Sequence, residues 1–191
     1  MELLIIIVIT LCVIRLAAFG LLHVKYPQFN ISKNTVSDYG TGSSRRLYSV
    51  MGSLSLLAYA CLFAYLLLTD FQPAWLTYVL GATVAGSIAI LLFPTDLTGK
   101  AMTRTGRIHW GLAILNFATL FVFMTNAIIP GLAMQPDALV IMTWIVRVTF
   151  YALLASLLLP KLRKNYIGLT ERLFLTATPL WFIVFASLLL A

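Results

Sequence analysis

"LLIIIVITLCVIRLAAFGLL" (residues 3–22) is a run of twenty residues that holds one charge, Arg15. At about 1.5 Å per residue a helix of this length crosses the ~30 Å hydrocarbon core of a bilayer. Five comparable runs follow, at residues 47–68, 74–93, 108–129, 138–159 and 173–190. Backbone groups in lipid must be paired inside their own segment, and barrel strands would be shorter and alternate in polarity, so these runs are helices. The sequence therefore predicts an all-α integral membrane protein, a single bundle of six transmembrane helices over residues 1–191. Composition agrees: 61% of residues are hydrophobic, 10% are charged and the mean hydropathy is +0.99. Soluble domains sit near half apolar and a quarter charged.

The first run reads as a retained helix, since no basic residue precedes it, its apolar stretch exceeds that of a secretion signal, and Arg15 lies inside it. Cys12 and Cys61 both fall within spans and behave there as small apolar side chains, so no disulfide is expected. Asn30-Ile31-Ser32 fits a glycosylation sequon, a pattern too short to carry weight.

Charge gives the orientation. Connector one carries Lys25, Lys33, Arg45 and Arg46, connector three Lys100, Arg104 and Arg107, and connector five Lys161, Arg163, Lys164 and Arg172. The other face has no Lys or Arg and holds Glu2, Asp70 and Asp137. The positive-inside rule places connectors one, three and five in the cytoplasm and both termini outside, as in a prokaryotic cytoplasmic membrane. The net charge of +7 belongs to that one face. It serves topology, and it also attracts anionic lipid headgroups. Nucleic acid is excluded as a partner, because no aromatic residues are interleaved with the basic ones and no recognition fold is visible.

Around this face the sequence gathers polar residues. Arg45 and Arg46 precede span two and Arg104 and Arg107 precede span four, where cations beside free helix N–H groups suit a phosphate or carboxylate. Gly40-Thr41-Gly42-Ser43-Ser44 reads either as a turn with serine capping of span two or as a backbone cradle, and it lacks the spacing and the Lys of a nucleotide-binding loop. Ser37, Asp38, Asp96 and His109 are candidate acid, base or nucleophile groups at one depth. With His23, the residues Asp38, Asp96 and His109 make an allowed zinc set, but no pair has the close spacing of a specific metal motif, and no cofactor motif is present. In composition the Ser, Asp and His cluster is similar to that of intramembrane ceramidase-type hydrolases, without their paired histidines on a late helix.

Two cations lie inside spans. Arg15 is about seven residues, or ~10 Å, from the cytoplasmic end of span one and can snorkel toward it. Arg147 falls near the midplane, where insertion costs at least ~2.5 kcal/mol without partners, so it is expected to face the bundle interior. No acid occurs within these six runs. The expected partners of Arg147 are Asn116, the Leu175 carbonyl freed by Pro179, or a bound lipid or anion. His109 and Asn116, seven residues apart, share a helical face, which predicts a polar stripe running inward to Arg147. Trp75, Tyr78, Trp110 and Tyr166 match interfacial belts, while Trp144 and Trp181 are expected to pack.

The Ser37-Asp38-Tyr39-Gly40 loop, the third span ending in Phe93-Pro94-Thr95-Asp96, and His109 opening span four before Ala113 and Phe117 resemble the prokaryotic family filed as domain of unknown function 998. The pattern is more distantly similar to the six-span Frag1 and autophagy-modulator group, whose first loop is drawn facing outside or the lumen, opposite to the orientation that the charges of this chain give. The resemblance covers nearly the whole chain and implies no settled activity. Three functions stay open: a cytoplasmic-face pocket for an anionic lipid headgroup or small anion, using Arg45, Arg46, Arg104, Arg107, Asn116 and Arg147; a surface lipid hydrolase or transferase using Asp96 and His109; and a small-solute transporter. Membrane lipids are the expected partners, and nothing fixes an oligomeric state.

Overall fold

The computed structural model describes residues 1–191. Six helices span Glu2–Lys25 (α1), Arg45–Leu68 (α2), Ala74–Leu92 (α3), Arg104–Asn126 (α4), Asp137–Leu158 (α5) and Pro160–Leu190 (α6). Two 3-10 turns, Val36–Gly40 and Gly42–Ser44, lie in the first connector. All six helices are long and apolar enough to cross a membrane, as the sequence predicts.

Proline sets two of the boundaries. The ring of a proline disfavours helical backbone in the residue before it. Phe93 before Pro94 and Leu159 before Pro160 accordingly take extended φ/ψ, which ends α3 and α5. Pro160 then sits in the first turn of α6, where its missing N–H costs nothing.

That start corrects an expectation. Hydropathy puts the sixth span at residues 173–190, yet α6 is 31 residues long and the fifth connector shrinks to Leu159. Hydropathy sees only the lipid-immersed part, whereas α6 at about 1.5 Å per residue is far longer than the bilayer core. Lys161, Arg163 and Lys164 ride on its first turns, and Glu171 and Arg172 become buried helical residues.

Each helix packs on its chain neighbours, and α6 returns to α1, closing a ring. The α5–α6 and α1–α2 seams are the densest and α4–α5 is the thinnest. Within its most apolar window α6 is 44% buried, against 17% for α5, so α6 is the hub and α5 largely faces lipid.

The half nearest the chain termini is dry. One apolar cluster there joins all six helices, with Trp181 stacked on Phe185 at 4.8 Å and Phe123 edge-on to Trp181 at 5.8 Å. Between lipid-immersed helices, close packing and hydrogen bonds replace the hydrophobic drive. Thr83 Oγ1 donates to Thr119 Oγ1 at 2.9 Å, and Trp181 Nε1 donates to Thr143 Oγ1 at 3.0 Å. Trp181 packs as expected, while Trp144 does not: it is exposed on the outer face of α5, with Arg147 stacked on its ring at 4.9 Å.

Candidate functional site: an intramembrane cavity at the basic end

The first connector is laid onto α6 through two adjacent residues. Arg172 donates Nη1 to the carbonyls of Asn34 at 2.6 Å, Ile31 at 3.0 Å and Gly168 at 2.9 Å, and Nε to His23 Nε2 at 2.8 Å. Glu171 Oε2 accepts the Val36 N–H at 2.7 Å, and the Gly168 N–H donates to Ser32 O at 2.8 Å. Gly168 is required there, because a Cβ would fall on the carbonyls of Asn34 and Ile31.

The same connector is tied to the third. Asp38, fully buried, accepts from the Thr98 N–H at 2.7 Å and from Asn34 Nδ2 at 2.8 Å. Gly40 lies so close to Thr95 that a Cβ would stand 2.9 Å from its methyl. Ser44 directly precedes α2 but does not cap it with its side chain, and its hydroxyl donates instead to Thr41 O at 2.9 Å. Asp96 acts within its own connector, accepting from the Thr103 N–H at 2.7 Å and from Thr103 Oγ1 at 3.0 Å. Thr103 in turn caps α4 by accepting the Gly106 N–H at 3.1 Å.

Beneath these tied loops lies a cavity of about 500 Å³, lined by all six helices and the first and third connectors. Ligand sites commonly measure about 300–1,000 Å³. Lys33, Arg45, Lys100, Arg163 and Lys164 line it at the loop end and are exposed. Ser37, Asp96, His109 and Asn116 also line it, as do Tyr48 and Tyr59 on α2. The predicted stripe from His109 to Asn116 is present, both side chains being buried on the cavity face of α4. Asn116 Nδ2 donates to Ser87 Oγ at 3.2 Å, while its Oδ1 has no partner and rests against Gly86.

The cation at the inner end is Arg15. It is 4% exposed and lines the cavity, and its Nη1 donates to Leu175 O at 2.6 Å. Pro179 has no N–H to offer the carbonyl four residues back, so Leu175 O is free to accept. Arg15 does not snorkel as expected. Arg147, expected at the floor, lies outside the cavity lining, and its only hydrogen bond is a long one of 3.4 Å from Nη2 to Thr125 O, in the last turn of α4. The carbonyl that Pro179 frees therefore serves Arg15, not Arg147, because α6 packs on α1 at that level.

The four candidate metal ligands do not converge, and no group of three or more His, Cys, Asp or Glu side chains does so anywhere. His23 donates Nδ1–H to Phe19 O at 2.7 Å and accepts at Nε2 from Arg172, which leaves no ring nitrogen free. His109 donates Nδ1–H to Phe93 O at 2.8 Å. Ser37 shares a hydrogen bond with Thr35 at 2.9 Å. Arg46, Arg104 and Arg107 are exposed in the first turns of α2 and α4 and stand outside the lining, near its basic rim. A cation in a first turn opposes the helix dipole by about 0.3–1 kcal/mol, so the helices gain nothing from these residues.

Glu171 is the acidic residue of the cavity lining that sequence reading misses, as it misses Tyr48 and Tyr59. The hydropathy boundaries leave it in a connector, although Ile167, Glu171, Phe174 and Thr178 recur at helical spacing ahead of and into the sixth span.

The chain matches the family described as "Protein of unknown function (DUF998)" over residues 9–188, and it belongs to that family. No curated protein and no solved structure matches it.

Proposed function

We propose that this DUF998 chain is a lipid-binding membrane protein that takes the phosphate of a lipid headgroup into the cavity beneath its first and third connectors, on the cytoplasmic side. The observation that carries the reading is the charge layout of the cavity, with a buried guanidinium at the inner end and five exposed cations at the mouth. An uncompensated cation inside a membrane bundle is costly and marks a ligand or ion path more often than it marks packing. The exposed cations add attraction for an anionic headgroup of about 1 kcal/mol each near the surface. Arg46, Arg104 and Arg107 extend that field without lining the site.

A lipid is favoured over a free anion by the α4–α5 wall. This seam is the thinnest in the ring, and Trp110 and Ile114 on α4 both line the cavity and are exposed. Arg163, in the first turn of α6 just past the end of α5, stacks on Trp110 at 5.6 Å beside this seam. Deeper in the bundle Phe121 and Phe150 stack at 4.0 Å and close the seam. A headgroup inside with its chains passing out between α4 and α5 satisfies both features.

Lipid extraction and mass spectrometry of the purified protein test the reading. Phospholipid is expected to co-purify with a headgroup composition that departs from that of the host membrane, and the bound amount is expected to fall in the double variant Arg45→Gln, Lys100→Gln. A sample of lipids that mirrors the host membrane and does not change in the variant would overturn it.

A further inference from the structure

A guanidinium and a carboxyl group face this cavity without meeting. Of the five N–H groups of Arg15, the one hydrogen bond formed is Nη1 to Leu175 O, and the guanidinium otherwise lies over the Phe19 ring at 5.1 Å. Glu171, 8% exposed, uses Oε2 for the Val36 N–H, and its Oε1 has no donor. Arg172 beside it directs its N–H groups to His23, Tyr39 and three backbone carbonyls, so it shields Glu171 without saturating it. Each charge is pinned: Arg15 by the carbonyl that Pro179 leaves free, and Glu171 by the first connector.

Leu175 follows Glu171 by four residues on α6, and since the Glu171 side chain leans toward the helix N-terminus while the Leu175 carbonyl points toward its C-terminus, the two anchors stand more than one turn, ~5.4 Å, apart along the axis. A buried charged group with unfilled hydrogen-bonding capacity is expensive, and two of opposite sign held apart against one cavity are complementary to a molecule carrying both signs. A plain anion would satisfy Arg15 but leave Glu171 unmatched.

Resting on the lipid reading above, we propose that the headgroup is zwitterionic, with its phosphate on Arg15 and a primary ammonium on Glu171. Ethanolamine phosphate, with two carbons between its charges, is the chemistry that fits. A quaternary ammonium has no N–H to give Oε1, and a glycerol headgroup has no cation.

Native mass spectrometry of the detergent-solubilised protein, titrated with lysophosphatidylethanolamine, lysophosphatidylglycerol and lysophosphatidylcholine, tests the assignment. The ethanolamine lipid is expected to bind on the order of tenfold more tightly than the other two. Glu171→Gln still offers an oxygen to Val36 and is expected to abolish that preference, weakening the ethanolamine lipid to the level of the glycerol lipid or below it. Arg15→Gln is expected to weaken all three. Equal binding of the three lipids by the unaltered protein, or a preference that survives Glu171→Gln, would overturn the zwitterion and leave the lipid-phosphate reading standing. Binding of none of the three would overturn both. The comparison of the three lipids on the unaltered protein decides the matter even where the variant does not fold.

Discussion

Arg15 and Arg147 are the two cations within the spans, and the bundle treats them in opposite ways. Arg15 is buried against a cavity with one carbonyl partner, while Arg147 is half-buried, stacked on the lipid-facing Trp144 and turned toward the end of α4. Replacing a buried, incompletely paired charge with an apolar chain of similar volume tends to be neutral or stabilising, and a ligand anchor lost this way costs affinity. Arg15→Met is therefore expected to keep or raise the melting temperature while weakening binding of an anionic lipid by about tenfold or more. Arg147→Met is expected to change stability by less than about 1 kcal/mol and leave lipid binding unchanged. Thermal melts and lipid titrations of both variants in one detergent check the pair, and the reverse pattern would remove Arg15 from the site. That Pro179 frees the Leu175 carbonyl is legible in the sequence, because it follows from proline chemistry. Which arginine reaches it depends on how α1 and α6 meet, and spacing along one helix carries no such information. Asn116 and His109 are legible as one stripe because both lie on the same helix.

The first connector and α6 form one unit, since residues 31–36 lie on the turn at 168–172 with no room for a side chain at Gly168. Gly168→Ala must push two carbonyls away, and overpacking of this kind costs about 1–3 kcal/mol. Gly20 on α1 has open space where a methyl would stand, with nothing within 4 Å, so Gly20→Ala removes only the entropic penalty of glycine in a helix, about 0.5–1 kcal/mol. The first variant is expected to melt lower than the parent and the second at or slightly above it. Equal melting of the two would mean that the connector is not held at Gly168. The polarity of Asn34-Thr35-Val36-Ser37-Asp38 announces a built segment, but its partners do not follow from it. Asp38 holds Thr98, and Val36, whose side chain looks merely apolar, presents the backbone N–H that Glu171 accepts. Backbone groups are invisible to composition, and the start of α6 is hidden because charged residues that rise out of the bilayer resemble a connector.

At the scale of the whole molecule the six spans and the concentration of charge at one end are readable, since both follow from residue type summed along the chain. The thin α4–α5 seam is not, because it depends on which faces the helices turn to each other. If lipid enters through that seam, joining its two sides must slow exchange without emptying the site. With Cys12→Ala and Cys61→Ala removing the native thiols, Trp110→Cys and Arg163→Cys place one thiol on α4 and one on the first turn of α6, directly past the end of α5, so that a link between them straps the loop end of the seam where the parent side chains stack at 5.6 Å. A short bis-thiol reagent applied to the lipid-loaded protein is expected to slow transfer of bound lipid to acceptor vesicles by at least about tenfold, since gating of access acts mainly on dissociation. A monofunctional reagent on the same two thiols is expected to leave the rate near that of the parent. Were the cross-linked protein to exchange lipid as fast as the unlinked one, the route would have to lie through the basic mouth beneath the first and third connectors. The cations Lys33, Arg45 and Lys100 would then be a passage for a soluble anion, and the thin wall would be only a gap in the packing.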